Sequence, residues 1–147
     1  HLGNQSMKSA LAALISSASL LVANSALAAR SGWQLVAAQG GQAVFFQPKS
    51  VNLTDEGLEV SMLEDFRDTE FLGAPVFPHK SRMSTYRVDC DTAQAGLTVW
   101  TLYSANFGQG EVVWSDKAEA VAMFRASSEP AVERLVQRVC TPFLARR

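Results

Sequence analysis

Two cysteines constrain the fold of this chain more than any other feature. Tyr86, Val88 and Cys90 alternate with other residues and therefore share one face of a predicted strand. Cys140 belongs instead to a run of apolar residues with helical spacing. A bond between the two sulfurs requires the helix to pack on the strand face that carries Tyr86 and Val88.

The N-terminal segment predicts export, which bears on the state of the cysteines. Residues 1–6 precede the first methionine and are interpreted as a vector-derived leader. Lys8, an apolar run over residues 10–23 and the small-residue site Ala26-Leu27-Ala28 predict a signal peptide over residues 7–28. Cleavage is expected after this site or one residue later.

Export in turn favours a disulfide. An even number of cysteines in an exported chain predicts a bond between Cys90 and Cys140, with two buried free thiols as the alternative. The alternative to a cleaved signal is a transmembrane anchor, because residues 9–29 nearly reach the length that spans a bilayer. Residues 29–147 are expected to form one domain, without a stable membrane anchor after cleavage.

Strand patterns fill most of this domain. Apolar and polar residues alternate between short turns, which favours an antiparallel meander. The alternation weakens after Met62, so a bulge or an edge position is expected there. Six strands are predicted, over residues 32–38, 42–47, 58–69, 81–91, 97–107 and 111–115.

The C-terminal segment changes to the period of a helix. Its apolar positions form one face: Val132, Leu135, Val136, Val139, Cys140 and Phe143. Ser127 or Ser128 is expected to cap the helix, and Pro142 to end it near Cys140 or Thr141. The predicted fold class is α+β, with a six-stranded antiparallel meander sheet and a C-terminal amphipathic helix packed on one face and tied by the disulfide.

Composition and motifs argue against several functions. Thirteen Lys and Arg residues balance fourteen Asp and Glu residues, so a broad basic surface for nucleic acid is not expected. His79 is the single histidine after the signal and is interpreted as a surface-loop residue. The acidic residues Glu64, Asp65 and Asp68 are interpreted as a solvated strand edge. No motif for a metal, a cofactor or catalysis is present, so we expect a protein that is not an enzyme.

Several motifs, in order and spacing, resemble the surface-adhesin protein E family. The run YRVDC at residues 86–90 is one, together with the distance from its cysteine to a second cysteine in a C-terminal helix. The others are Trp33, FFQPKSV at residues 45–51 and NFGQG at residues 106–110. The resemblance covers residues 31–140.

The resemblance implies an antiparallel sheet with a helix tied to it by a disulfide, as the residues predict independently. It also implies adhesion to host matrix or serum proteins. The family's namesake resembles a lipoprotein, with a cysteine at its signal cleavage site, whereas this chain has Ala26-Leu27-Ala28-Ala29. A periplasmic or secreted location is therefore expected over display on the outer membrane.

The segment from Glu70 to Lys80 is predicted to be an apolar loop, and the candidate binding site extends from Phe71 to Arg82. Aromatic and basic side chains lie close together there, as is typical of protein-recognition surfaces. The alternative is that the two phenylalanines fold back on the sheet. The candidate partner-binding residues are Phe71, Phe77, His79, Lys80 and Arg82.

Three functions are compatible with these features. The first is a non-catalytic exported module that binds a host-matrix or envelope protein. The second is a periplasmic inhibitor of an envelope-active enzyme such as lysozyme. The third is a structural or assembly subunit of the envelope, held by pairing of edge strands.

Overall fold

The computed structural model describes residues 32–72 and 76–146. The predicted leader and signal peptide lie outside the described residues. Within these residues, one α-helix, α1, follows eight strands, β1 to β8. The strands are Gln34–Gln39, Gln42–Phe46, Asn52–Thr54, Gly57–Leu72, Phe77–Asp89, Gln94–Tyr103, Val112–Lys117 and Phe124–Arg125, and the helix is Pro130–Ala145.

All strands join one antiparallel sheet. Its six longer strands lie in chain order, β1-β2-β4-β5-β6-β7, so the predicted meander is confirmed. The two short strands were not predicted. β3 pairs with β4 beyond the end of β2, and β8 pairs with β6 beyond the end of β7. Two or three residues are too few to show a periodic pattern, which explains why sequence analysis missed them.

The helix packs on one face of the sheet, and the α+β fold class is confirmed. Tyr86 and Val88 of β5 are buried against it together with alternate residues of β4. Fully burying one such aliphatic side chain stabilises the fold by about 1.5–3 kcal/mol. The buried helix positions are those that the helical period predicts: Val132, Leu135, Val136, Val139 and Cys140.

The disulfide between Cys90 and Cys140 is confirmed. The two Cα atoms are 5.5 Å apart, and the bond joins the residue after β5 to the buried face of α1. It therefore fixes the helix over the predicted strand face, at one end of β5.

The predicted capping residue and the predicted C-terminal end of the helix are wrong. Ser127 and Ser128 lie in a preceding 3₁₀ turn, and Glu129 occupies the position before the helix. At the other end, α1 continues past Pro142 to Ala145. Proline removes one helical hydrogen bond, a small loss in the last turn, and Phe143 packs against the core just beyond it.

The opposite face of the sheet has a smaller core. Trp33, Phe45 and Leu63 are buried there, and Met83 and Phe107 pack against them. Because both faces carry apolar residues, the central strand β4 is buried or half-buried over residues 57–66, and it is exposed over residues 67–72.

Candidate functional site

The hairpin between β4 and β5 extends beyond the neighbouring strands. β2 pairs with β4 only as far as Phe66, and β6 pairs with β5 only from Ser81. Further out, residues 70–72 pair with residues 77–79 and with no other described strand. The loop predicted over residues 70–80 is therefore mostly a two-stranded ribbon, which by itself is marginally stable in water.

A bulge in β4 separates this ribbon from the sheet. The register of β4 against β5 shifts between Asp65 and Glu70, so the expected bulge is present, and beyond it residues 70–72 also lie at an edge, which was the other expected alternative. Within it, Arg67 and Asp68 form an exposed ion pair, with 3.6 Å between nitrogen and oxygen. Pro78 fits in β5 because the outer side of the ribbon has no further strand among those described.

Apolar side chains cover the end of the ribbon. Phe71 is 68% exposed and Val76 is 59% exposed, and Leu72 is also exposed. We call Phe71, Leu72, Val76 and Phe77 the hairpin tip. Scattered apolar residues on a surface need no explanation, but neighbouring ones mark interaction sites.

The two phenylalanines of the hairpin tip behave differently. Phe77 stacks on Trp114 of β7, with 5.4 Å between ring centroids and 14° between ring planes. Trp114 in turn contacts Trp100, at 6.0 Å. Phe71 remains exposed, so folding back applies to Phe77 alone. Sequence analysis did not identify the contact between Phe77 and Trp114, which depends on how β5, β6 and β7 lie side by side in the sheet.

His79 was predicted to be a surface-loop residue, and this prediction is wrong. His79 is only 3% exposed, its Nδ1 lies 2.9 Å from the carbonyl oxygen of Phe77, and its ring meets Phe66 edge-on at 5.6 Å. The prediction fails because β5 begins at Phe77, so the side chain of His79 lies on an inward-facing strand position. The buried His79 side chain therefore packs against the two strands that carry the hairpin tip.

Arg82 also lies within β5 and not in a loop. Its Nε donates a 2.5 Å hydrogen bond to Oε2 of Glu64, its direct partner on β4. Burial lowers the pKa of the Arg82 guanidinium, but the hydrogen bond and the charge of Glu64 outweigh this effect and raise the pKa overall. Of the two predicted basic residues, half-buried Lys80 is the one next to the hairpin tip.

Glu64 and Asp65 do not form the solvated strand edge that was predicted, because β4 lies in the middle of the sheet. Glu64 is buried and also accepts a 2.8 Å hydrogen bond from Nε2 of Gln42. Asp68 alone of the three acidic residues is exposed. Buried carboxylates need such partners, which assigns these two a structural role.

A buried tyrosine adjoins the ion pair. Burial raises the pKa of Tyr86 to about 12, and the negative charges of Glu64 and Glu129 add to this, whereas Arg82 opposes it. The phenol is therefore neutral over the physiological range.

The NFGQG motif forms a tight turn that closes the second core. Oδ1 of Asp65 accepts a 2.8 Å hydrogen bond from the backbone N–H of Phe107 and a 3.1 Å bond from Nδ2 of Asn106. The hydroxyl of Ser81 accepts a 2.9 Å bond from the N–H of Gly108. These bonds hold Phe107 at a φ of 56°, with its ring 5.3 Å from that of Phe45. The motif therefore positions a core aromatic residue.

Within residues 32–72 and 76–146, no group of three or more His, Cys, Asp or Glu side chains is arranged to hold a metal ion. No helix in this part of the chain is long and apolar enough to cross a membrane.

Comparisons with known proteins agree with this architecture. Two crystal structures of Haemophilus influenzae protein E match with TM-scores of 0.60 and 0.59, both at 11% sequence identity. The first match covers 77% of this chain and 90% of protein E, and the second covers 78% and 79%. No curated protein matches the sequence. The sequence model of surface-adhesin protein E matches residues 33–141. The chain therefore belongs to the surface-adhesin protein E family, a family of adhesin-like binding modules.

Proposed function

We propose that this protein is an exported, non-catalytic module that binds a protein partner through the hairpin tip. The observation that carries the proposal is the exposure of Phe71, Leu72 and Val76 on a ribbon that projects beyond the sheet. Membership in a family of surface adhesins supports a binding function and an exported location.

The chemistry of the hairpin tip suits a protein surface. Apolar anchors that enter a partner's pockets provide most of the affinity of many protein interfaces. Phe77 is held by Trp114, so part of the tip is ordered before binding and less conformational entropy is lost. Lys80 adds a positive charge near these anchors, which favours a partner surface with acidic groups.

The partner class is an extracellular-matrix or envelope protein. Immobilised full-length protein is to be tested against purified host matrix proteins and against envelope extract, with each retained protein then titrated singly. We expect the double variant Phe71→Ser, Val76→Ser to lose at least tenfold in affinity, or about 1.4 kcal/mol. The matched control is Val99→Ser, another exposed apolar position, which lies on β6.

The result also discriminates between the other candidate functions. Unchanged binding by the double variant would remove the hairpin tip as the site. Inhibition of lysozyme by the parent protein would instead favour an enzyme inhibitor. Arg82 is unsuitable for this test because its loss leaves the buried Glu64 without its charged partner.

A further inference from the structure

A groove separates the C-terminal half of α1 from the segment between β2 and β4. Its volume is about 800 Å³, within the range of small-molecule sites. Eight of its lining residues are apolar, two of them prolines. The other six apolar residues are Phe46, Val51, Leu53, Leu58, Val139 and Phe143.

The polar side of the groove is positively charged. Its three polar lining residues are Gln34, Arg138 and Arg146, and none of the described lining residues is acidic. An apolar trough next to two arginines is complementary to a molecule with an apolar body and an anionic end.

Arg138 is held in place before any ligand binds. Its Nη2 donates a 2.9 Å hydrogen bond to Oε1 of Gln34, and its guanidinium lies 5.3 Å from the centre of the Phe46 ring. Nη1 lies 3.5 Å from the carbonyl oxygen of Leu35. These contacts with described residues use two of the five N–H groups of the side chain, and a guanidinium so held retains donors for a carboxylate.

We propose that this groove binds the acyl chain of a single fatty acid, with Arg138 and Arg146 receiving its carboxylate. Leu53 is 67% exposed at the groove's outer wall, so the acyl chain would cover apolar surface that now faces water. The proposal is independent of the hairpin tip, because none of the tip residues lines the groove.

The test compares two ligands with the same chain. Dodecanoate below its critical micelle concentration and dodecanol below its solubility limit are titrated into the full-length protein by calorimetry at about pH 8, where a carboxylic acid is ionised. We expect dodecanoate to bind at least tenfold more tightly. Equal affinities would overturn the role of the arginines, and absence of dodecanoate binding would overturn the proposal.

Matched variants locate the site. Leu53→Glu places a negative charge in the groove and is expected to weaken dodecanoate binding at least tenfold, whereas Val99→Glu at an exposed site on β6 leaves it unchanged. Arg146→Gln is expected to weaken binding about three- to tenfold. Its control is Arg134→Gln, which removes the same charge from an exposed position of α1 that does not line the groove. Parent-like binding by Leu53→Glu would overturn the site.

Two other occupants would give different results. If the chain trimmed to residues 29–147 bound dodecanoate and the full chain did not, the N-terminal segment would be the occupant and the proposal would fail. If the protein formed a dimer that Leu53→Glu abolished in light scattering, the groove would be an interface between copies. The hairpin-tip double variant keeps parent affinity for dodecanoate if the two sites are separate, so failure of one proposal does not imply failure of the other.

Discussion

The two ends of β5 differ in how they are held. At the C-terminal end, Tyr86 and Val88 are buried under α1, and Cys90 is bonded to that helix. At the N-terminal end, residues 77–79 pair with β4 alone and end at an exposed apolar tip. One strand thus joins an end that is held by β4, β6 and α1 to an end that pairs in the sheet with β4 alone, where Phe77 also stacks on Trp114.

This difference separates stability from recognition. Removing contacts at the C-terminal end should destabilise the whole domain, because the helix and the main core depend on them. Removing side chains at the N-terminal end should change mainly the surface offered to a partner. Local stability is low where few apolar contacts are buried, and binding elements are often found in such regions.

The largest expected effect comes from breaking the disulfide. The double variant Cys90→Ala, Cys140→Ala removes a link across 50 residues of chain, which in the chain-entropy account lowers the free energy of unfolding by about 4 kcal/mol. Urea denaturation measures it. A loss below about 1 kcal/mol would mean that the bond contributes little to the stability of the C-terminal end of β5.

The second effect is a loss of stability at alkaline pH, which arises from Tyr86 near the C-terminal end of β5. Tyr86 keeps its proton up to a pKa of about 12 in the folded state, whereas an unfolded tyrosine ionises near pH 10. The folded state therefore binds more protons in this interval, and stability falls as pH rises, by about 2–3 kcal/mol. Tyr86→Phe should lack this component.

The measurement for Tyr86 is the difference in unfolding free energy between the parent and Tyr86→Phe at several pH values between about 9 and 12. Other groups titrate in both proteins and largely cancel. Parallel curves for the two proteins would contradict the pKa shift and the burial that causes it.

The third effect tests the link from the hairpin tip to the sheet. Phe77→Ala removes the stacking on Trp114 and part of a half-buried side chain, so we expect a loss of about 1–2 kcal/mol. Trp114 should also become more exposed to a fluorescence quencher. If stability and quenching were unchanged, the stacking of Phe77 on Trp114 would not stabilise the N-terminal end of β5.

The smallest effect should occur at the outermost position. Phe71→Ala is expected to change the free energy of unfolding by less than about 0.5 kcal/mol, because its side chain is already mostly in water. It is also the natural control for Phe77→Ala. A large destabilisation would show that the Phe71 side chain is packed and not exposed. It would remove the contrast between the C-terminal and N-terminal ends of β5.

The candidate site was only partly predictable from the sequence. Apolar and aromatic residues close to basic ones indicated a binding segment, and Phe71 occupies the exposed position that such a segment needs. His79 and Arg82 were assigned to the same surface because they follow closely in sequence. Strand pairing instead buries His79 and turns Arg82 toward Glu64, since neighbours along a strand alternate between its faces.

The motif NFGQG shows the same limit. Its glycines indicate a turn, and the structure contains one, but the partners that hold it are about 25 to 40 residues away along the chain. Asp65 and Ser81 reach the turn only because β4 and β5 lie side by side beneath it. No local pattern could identify a carboxylate on β4 as the acceptor for a backbone N–H in the turn that follows β6.

Local periodicity by itself determined the α+β class, the six longer strands and the buried face of the helix, because a side-chain spacing of two or 3.6 residues is visible in any stretch long enough to show a period. Short turns between the strands indicated the order of the meander, and an even number of cysteines in a chain predicted to be exported indicated the pairing of Cys90 with Cys140. Only the tertiary structure decided that Glu64 and Asp65 are buried, that Phe77 is packed while Phe71 is exposed, and that a groove with two arginines opens beside α1. Each of these depends on the register between distant strands, and register is set by the packing of the whole sheet.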